Sequence, residues 1–276
     1  MAGPSSETNL KTYETADVAS HYASLSYLAP CERLLFDSYI KPGSTILDLG
    51  VGGGRTTPYL ARLASHYVGV DYSAPMIERC RAKFPNLEFR VADASDLTRF
   101  QDGAFDAVVF AFNGIDYVLP DQSRLQSLAH IYRLLKADGC FIFSSHNPRA
   151  VVVREGWNRE RLRNVAHRFS GGLPFLFEFL LAALAGARAT LAIGRSVGSS
   201  LLRFVRRLPT RTFWLGEGNF VDSAHGGLLT HSWIPERVIG EMAGLHFFLR
   251  RVVANEYPRS GHRYSTDWYY YVFTKR

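Results

Sequence analysis

The run Ile46-Leu-Asp-Leu-Gly-Val-Gly-Gly-Gly-Arg55 sets four glycines behind an acid and a short apolar stretch, with a helix-like pattern after it. Glycine has no side chain and adopts positive φ, so backbone can close on a ligand there. The free amides of the next helix N-terminus face the same space. Such a turn suits nucleotide-like ligands. The dinucleotide pattern G-x-G-x-x-G fails in both registers, because Arg55 and Thr57 stand where the third glycine belongs. Histidine offers a second chemistry, since its unperturbed pKa suits a general base near neutrality. His146 in FSSHN and His225 in DSAHGG are the candidates. Cys31, Cys80 and Cys140 form no C-x-x-C pair and are odd in number, so neither a disulfide framework nor a zinc site is indicated. No tight acidic cluster suggests a metal.

These residues need a scaffold that brings them to one edge. Thr45–Leu49, Tyr67–Val70, Leu87–Val91, Ala104–Phe110 and Cys140–Ser145 read as short strands, and Thr57–Ser65, Pro75–Phe84 and Gln122–Lys136 as the helices between them. Strands alternating with helices of this length argue for an α/β, doubly wound, mainly parallel sheet. Val18–Tyr22 and Cys31–Tyr39 read as helices ahead of it. After Pro148 the alternation breaks. Arg159–Phe169 and Val197–Leu208 have the spacing of basic amphipathic helices, and the apolar Leu173–Ile193 is interrupted by charges before it reaches membrane-spanning length. The α/β pattern resumes after Gly218, with a helix at Pro235–Ala243 and strands at His246–Val253 and Trp268–Thr274. The expected organisation is N-terminal helices over 1–43, an α/β core over 44–148, a helical arginine-rich insertion over 149–215, and the rest of the core over 216–276.

Asp48, Gly50, Gly52 and Gly54 spell D-x-G-x-G-x-G, which resembles motif I of the class I S-adenosylmethionine-dependent methyltransferases. The resemblance extends through VGVDYSAPMI, FRVADASDL, FDAVVFAFNGIDYV and LKADGCFIFSSHN, in order and with appropriate spacing. It implies a seven-stranded, Rossmann-like methyltransferase fold with a helical lid, and S-adenosyl-L-methionine as cofactor. It further implies that Asp71 binds the ribose hydroxyls, that Met76 lies against the adenine, and that Asp93 and Ala94 sit near the adenine amino group. Arg55 would pair with the methionine carboxylate, and Tyr22 would close over the cofactor. Tyr72 and Phe112 are counted with them in the cofactor site. The reaction implied is in-line attack of an acceptor on the sulfonium methyl.

The fourth strand ends in AFNGIDY and not in the [DNS]-P-P-[FYW] of base-amino methyltransferases, and no Pro-Cys follows it. The runs FNGIDYV and FSSHN resemble those of bacterial small-molecule and glycan-modifying methyltransferases, which implies an oxygen or nitrogen of a small molecule or sugar as the acceptor. Asn113, Asp116, Tyr117 and Asn147 are the expected substrate contacts, and His146 and His225 the expected catalytic residues. Charge adds one asymmetry. The chain carries 32 Lys and Arg against 25 Asp and Glu, a net of +7. Arg149–Arg211 holds twelve arginines and three acids, a net of +9, which leaves −2 for the remainder. This segment reads as a solvated helical face or as a contact for an anionic acceptor. Missing lysines and interleaved aromatics disfavour nucleic acid, and membrane-surface contact is open but not favoured. The other function class is a cofactor-binding protein without turnover, docking through the basic insertion on RNA, membrane or a protein. The polar start, the cysteine usage and the lack of an apolar leader point to a cytoplasmic protein.

Overall fold

The computed structural model describes residues 27–150, 218–222, 228–261 and 266–276. Most of the arginine-rich insertion, the helices expected at 18–22, 159–169 and 197–208, and the residues Tyr22 and His225 lie outside them.

The described elements are α1 (Pro30–Tyr39), β1 (Ser44–Leu49), α2 (Thr57–Leu63), β2 (Ala64–Asp71), α3 (Ala74–Lys83), β3 (Glu88–Val91) and β4 (Phe105–Phe110). A 3-10 turn (Gly114–Tyr117), α4 (Asp121–Leu134) and β5 (Leu135–His146) follow. After the insertion come β6 (Gly218–Asp222), β7 (Leu228–Ser232), α5 (Pro235–Gly244), β8 (Phe247–Ala254) and β9 (Trp268–Lys275). Seven strands form one sheet in the order β3-β2-β1-β4-β5-β9-β8, with β9 antiparallel to both neighbours and the first five strands parallel. The order reverses beside β1, so the C-terminal ends of β1 and β4 flank a crevice, the place where open α/β sheets bind ligands.

Both faces of the sheet are covered, which is why the strands read as nearly unbroken apolar runs. Leu47, Val108, Phe141 and Phe273 pack against Leu128 and Ile131 of α4 and Val238 and Met242 of α5. Their chain neighbours Ile46, Val109, Ile142 and Val272 point to the opposite face and meet Cys31, Leu35 and Phe36 of α1, Leu60 of α2 and Ile77 of α3. The two-residue period of a strand thus feeds two cores at once.

One element was not expected from the sequence. β6 and β7 pair as an antiparallel hairpin outside the main sheet. The Thr230 hydroxyl donates to the Asp116 carbonyl, which docks β7 on the 3-10 turn.

Candidate active site

The crevice is a cavity of about 1060 Å³, counting the part open to solvent. Asp48 and the glycines form its floor, Asp71 and Tyr72 one side, Met76, Ala92 and Ala94 an apolar wall, and Phe110, Phe112, Gly114 and Tyr117 the side toward β4. The floor is a buried polar knot. Thr56 and Tyr67 both donate their hydroxyls to Asp48 Oδ2 at 2.8 Å. Burial pushes the Asp48 carboxyl up to about 6 from 3.8, and the two hydroxyls only partly offset this. A carboxyl raised on folding holds its proton better in the folded state, so its stabilising contribution is present below about pH 4 and lost as pH rises through about 6. Over that window Asp48→Asn is expected to gain about 2–3 kcal/mol on the wild type. Urea midpoints compared between pH 4 and pH 7 check this, and parallel pH curves for the two proteins would contradict it.

Asp71 is 7% exposed, and burial raises its carboxyl. Its Oδ2 accepts from the Gly52 amide and its Oδ1 from the Ser73 amide, both at 2.9 Å. The carboxylate therefore ties the glycine turn to the end of β2. An ionised carboxylate has about four acceptor sites, so capacity remains for two hydroxyls of a diol. With the apolar wall beside it, this donor and acceptor set fits an adenosine group.

The glycines are needed sterically at two places around one ring. A Cβ on Gly50 (φ +61°) would sit 2.7 Å from the Phe110 ring, and one on Gly114 would sit 2.1 Å from it. Phe110 is thus clamped between two backbones, with its ring at the cavity edge. Phe112 and Asn113 between them have φ of 55° and 63°, unusual for side-chain-bearing residues. Gly114→Ala forces a shift of the Phe110 ring, which lines the cavity. It is expected to weaken S-adenosylhomocysteine binding more than about tenfold, roughly 1.4 kcal/mol, a modest share of the usual overpacking cost. Calorimetry giving wild-type affinity would contradict the clamp.

Other expected residues fall differently. Arg55 lines the cavity, but its guanidinium is engaged. Nη1 and Nη2 donate to Glu32 Oε2 and Oε1 at 2.6 and 2.5 Å, and Nη1 also reaches the Tyr27 carbonyl at 3.1 Å. The same group stacks on Tyr27 and Phe112. Burial alone would lower the Arg55 pKa, and the Glu32 contacts reverse this and hold it above its ordinary value. A cofactor carboxylate would meet a neutralised pair and not a bare cation. Asp93 does not line the cavity, because its Oδ1 is turned back on the amide and hydroxyl of Ser95 at 2.8 Å. Ala94 does line it.

Beside the cavity lies a cluster built on the ends of β4 and β5. Asp116 is fully buried. Its Oδ2 accepts from the His146 amide at 2.7 Å and lies 2.8 Å from His146 Nδ1, while Oδ1 accepts from the Ser145 hydroxyl at 2.7 Å. A carboxylate acceptor at Nδ1 selects the tautomer with its proton there and leaves Nε2 as the acceptor. Nε2 faces Asn113 Nδ2 at 3.2 Å. The imidazole packs edge-on against Tyr117, which lines the cavity. Asp116 and Asn147 depart from the expected substrate contacts. Asp116 orients a histidine from a fully enclosed place, and Asn147 Nδ2 donates to the Thr266 carbonyl at 2.8 Å, joining the end of β5 to the start of β9. Tyr117 alone of the four expected substrate residues lines the cavity, and the buried Asn113 meets His146.

Sequence reasoning missed Glu32, Ser145 and Trp233. Trp233 is fully buried and donates its Nε1–H to Ser145 Oγ at 2.7 Å. Glu32 carried a readable signal. It stands two residues after Pro30 and accepts from the Ala29 amide at 2.9 Å, as a helix-starting acid does.

A family model described as a methyltransferase domain matches residues 46–139. The demethylmenaquinone methyltransferase of Clavibacter sepedonicus is 35% identical over 120 residues, 42% of this chain and 47% of that protein. The ubiquinone biosynthesis O-methyltransferase of Albidiferax ferrireducens is 27% identical over 146 residues, 50% of this chain and 56% of that protein. The chain thus spans about half the length of the curated relatives it matches. Among solved structures, the 1,6-didemethyltoxoflavin-N1-methyltransferase of Burkholderia thailandensis, with bound 1,6-didemethyltoxoflavin and S-adenosylhomocysteine, aligns with a TM-score of 0.56 at 14% identity. The alignment covers 100% of this chain and 91% of that one, a likeness of fold. Residues 46–139 thus carry a methyltransferase domain, set in a fold shared with S-adenosylmethionine-dependent methyltransferases.

Proposed function

We propose that this chain transfers a methyl group from S-adenosylmethionine to an oxygen or nitrogen of a small-molecule acceptor, with His146 as general base when the acceptor is a hydroxyl. The observation that carries the reading is the Asp116–His146 pair, held 2.8 Å apart next to the cavity wall. When bound, the cofactor supplies an already activated sulfonium methyl. The chain has to bind, orient and deprotonate. Asp71 offers acceptors to the ribose, Met76 and Ala92 enclose the base, and Phe110 and Phe112 bound the side toward the acceptor. His146 Nε2 takes the acceptor proton once Asn113 Nδ2 turns aside, and the fixed Asp116 carboxylate stabilises the imidazolium that results. Curated relatives named for demethylmenaquinone and for ubiquinone biosynthesis O-methylation support a small-molecule acceptor.

Asp71→Ala is expected to weaken S-adenosylhomocysteine binding by about 1.5–3 kcal/mol, the range for hydrogen bonds to a charged group. Unchanged affinity by calorimetry would remove Asp71 from the site. The function itself is tested by supplying methyl-labelled cofactor with panels of phenols, aliphatic alcohols and amines. Transfer of label to a member of a panel is expected. Transfer to RNA or protein alone would overturn the small-molecule reading.

A further inference from the structure

The strongest anomaly outside the cavity is Arg124, in the first turn of α4. Its side chain is 1% exposed, yet Nε and Nη1 have no hydrogen-bond partner among the described residues. Buried guanidinium donors are ordinarily satisfied, so two without an acceptor ask for a missing one. Arg124 stacks on the face of Trp233, 4.6 Å from the ring centroid to Cζ. Among the described residues its charge is met only through Nη2, 3.1 Å from Asp121 Oδ1. Asp121 is 56% exposed and makes a single approach, so it is a loose counter-ion. His231 stands 3.6 Å from the same carboxylate oxygen. Burial and the neighbouring Arg124 push His231 down to about 4, which leaves it neutral at pH 7. The cluster therefore has one fully buried cation with spare donors and one exchangeable anion, and Asp116 and Arg237 are also close enough to act on His231.

We infer that Arg124, backed by Trp233, is a subsite for a carboxylate of the acceptor, and that Asp121 holds the place of that carboxylate when the acceptor is absent. A carboxylate exchanged for Asp121 keeps the local charge unchanged and can accept from two guanidinium N–H groups side by side, which Asp121 does not. One cation matches a monoanion better than a phosphate dianion. Trp233 links the subsite to the base: one face carries Arg124, and Nε1–H holds Ser145, which in turn holds Asp116. α4 also starts three residues after Val118 of the cavity wall, so the subsite and the cavity share one connected stretch of chain. The assignment to the acceptor rests on the methyl-transfer reading above.

An acetate titration of the full chain at pH 7, read at the Arg124 Nε–H resonance against sodium chloride of equal ionic strength, tests the subsite. A saturable shift with acetate is expected, with Kd lowered about threefold to fivefold in Asp121→Asn, because a competing carboxylate is gone. Arg124→Lys keeps the charge and loses the fork, and is expected to lose the thermal stabilisation that acetate gives the wild type. Equal responses to acetate and chloride, or no tightening in Asp121→Asn, would overturn the subsite. Tighter binding of inorganic phosphate than of acetate would overturn the carboxylate assignment. Calorimetry with S-adenosylhomocysteine on the same samples separates the two readings. Cofactor-product binding without an acetate response removes the subsite alone, whereas an acetate response without cofactor-product binding removes the methyl-transfer reading and the acceptor assignment with it.

Discussion

Asp116→Asn is expected to lower turnover on a hydroxyl acceptor by about 10²–10⁴-fold while S-adenosylhomocysteine binds as before. The substitution leaves the shape almost unchanged. It replaces an acceptor oxygen near His146 Nδ1 by either an amide oxygen without charge or an NH₂ that would demand the other imidazole tautomer. In the second case Nε2 carries the proton and cannot accept one. In the first, the imidazolium formed during transfer loses the anion that stabilises it. The Asp116 side chain is not in the cavity wall, so the cofactor product has no contact to lose. His146→Ala should match Asp116→Asn in size and remove the acidic limb of the pH–rate profile. A full rate in Asp116→Asn with an unaltered acidic limb would leave the pair a structural one. An amine acceptor that is already neutral would show small effects in both variants.

The second large effect concerns stability. Glu32 is fully buried and accepts four hydrogen bonds: from the Ala29 amide, from both Arg55 nitrogens, and from the Tyr270 hydroxyl at 2.6 Å. Four sites are all that a carboxylate has. The residue joins α1, the glycine turn and β9 at one point. Glu32→Ala leaves the Arg55 guanidinium, 8% exposed, without its counter-ion, and is expected to destabilise the fold by about 3–5 kcal/mol. Pairing it with Arg55→Met should recover much of that, because the stranded charge is then gone. Urea unfolding of the two single variants and the double variant measures the coupling. A Glu32→Ala protein within 1 kcal/mol of the wild type would show that the ion pair is dispensable, an outcome at odds with the burial.

The scaffold was legible because each strand of the seven-stranded sheet except the short β3 carries apolar residues for two faces, and each helix between strands one and five shows a single stripe. Ile46 and Leu47 already announce two cores, and Arg55 and Thr57 already exclude the dinucleotide turn. The hairpin β6–β7 was not legible, since Asn219 and His231 break the apolar alternation that marks a strand. Side-chain roles were harder to read than positions. Asp116 looks like a polar residue at a sheet edge, and only three-dimensional closure by Ser145, His146 and Thr230 makes it an orienting group. Arg55 follows the glycines as a cofactor ligand would, yet a helix 23 residues earlier in the chain supplies its partner. Asp93 sits at the end of β3 as expected, but Ser95 two residues on captures it locally. These are long-range or turn-level events, and hydrophobic periodicity carries no information about them.

Calorimetric titration of the full chain with S-adenosylhomocysteine and with NADH decides whether the crevice over β1, β2 and β4 is the site for S-adenosylmethionine. Saturable binding of one S-adenosylhomocysteine per chain and no heat from NADH is the expected result. NADH binding, or no response to S-adenosylhomocysteine from protein with a native circular-dichroism spectrum, would contradict it.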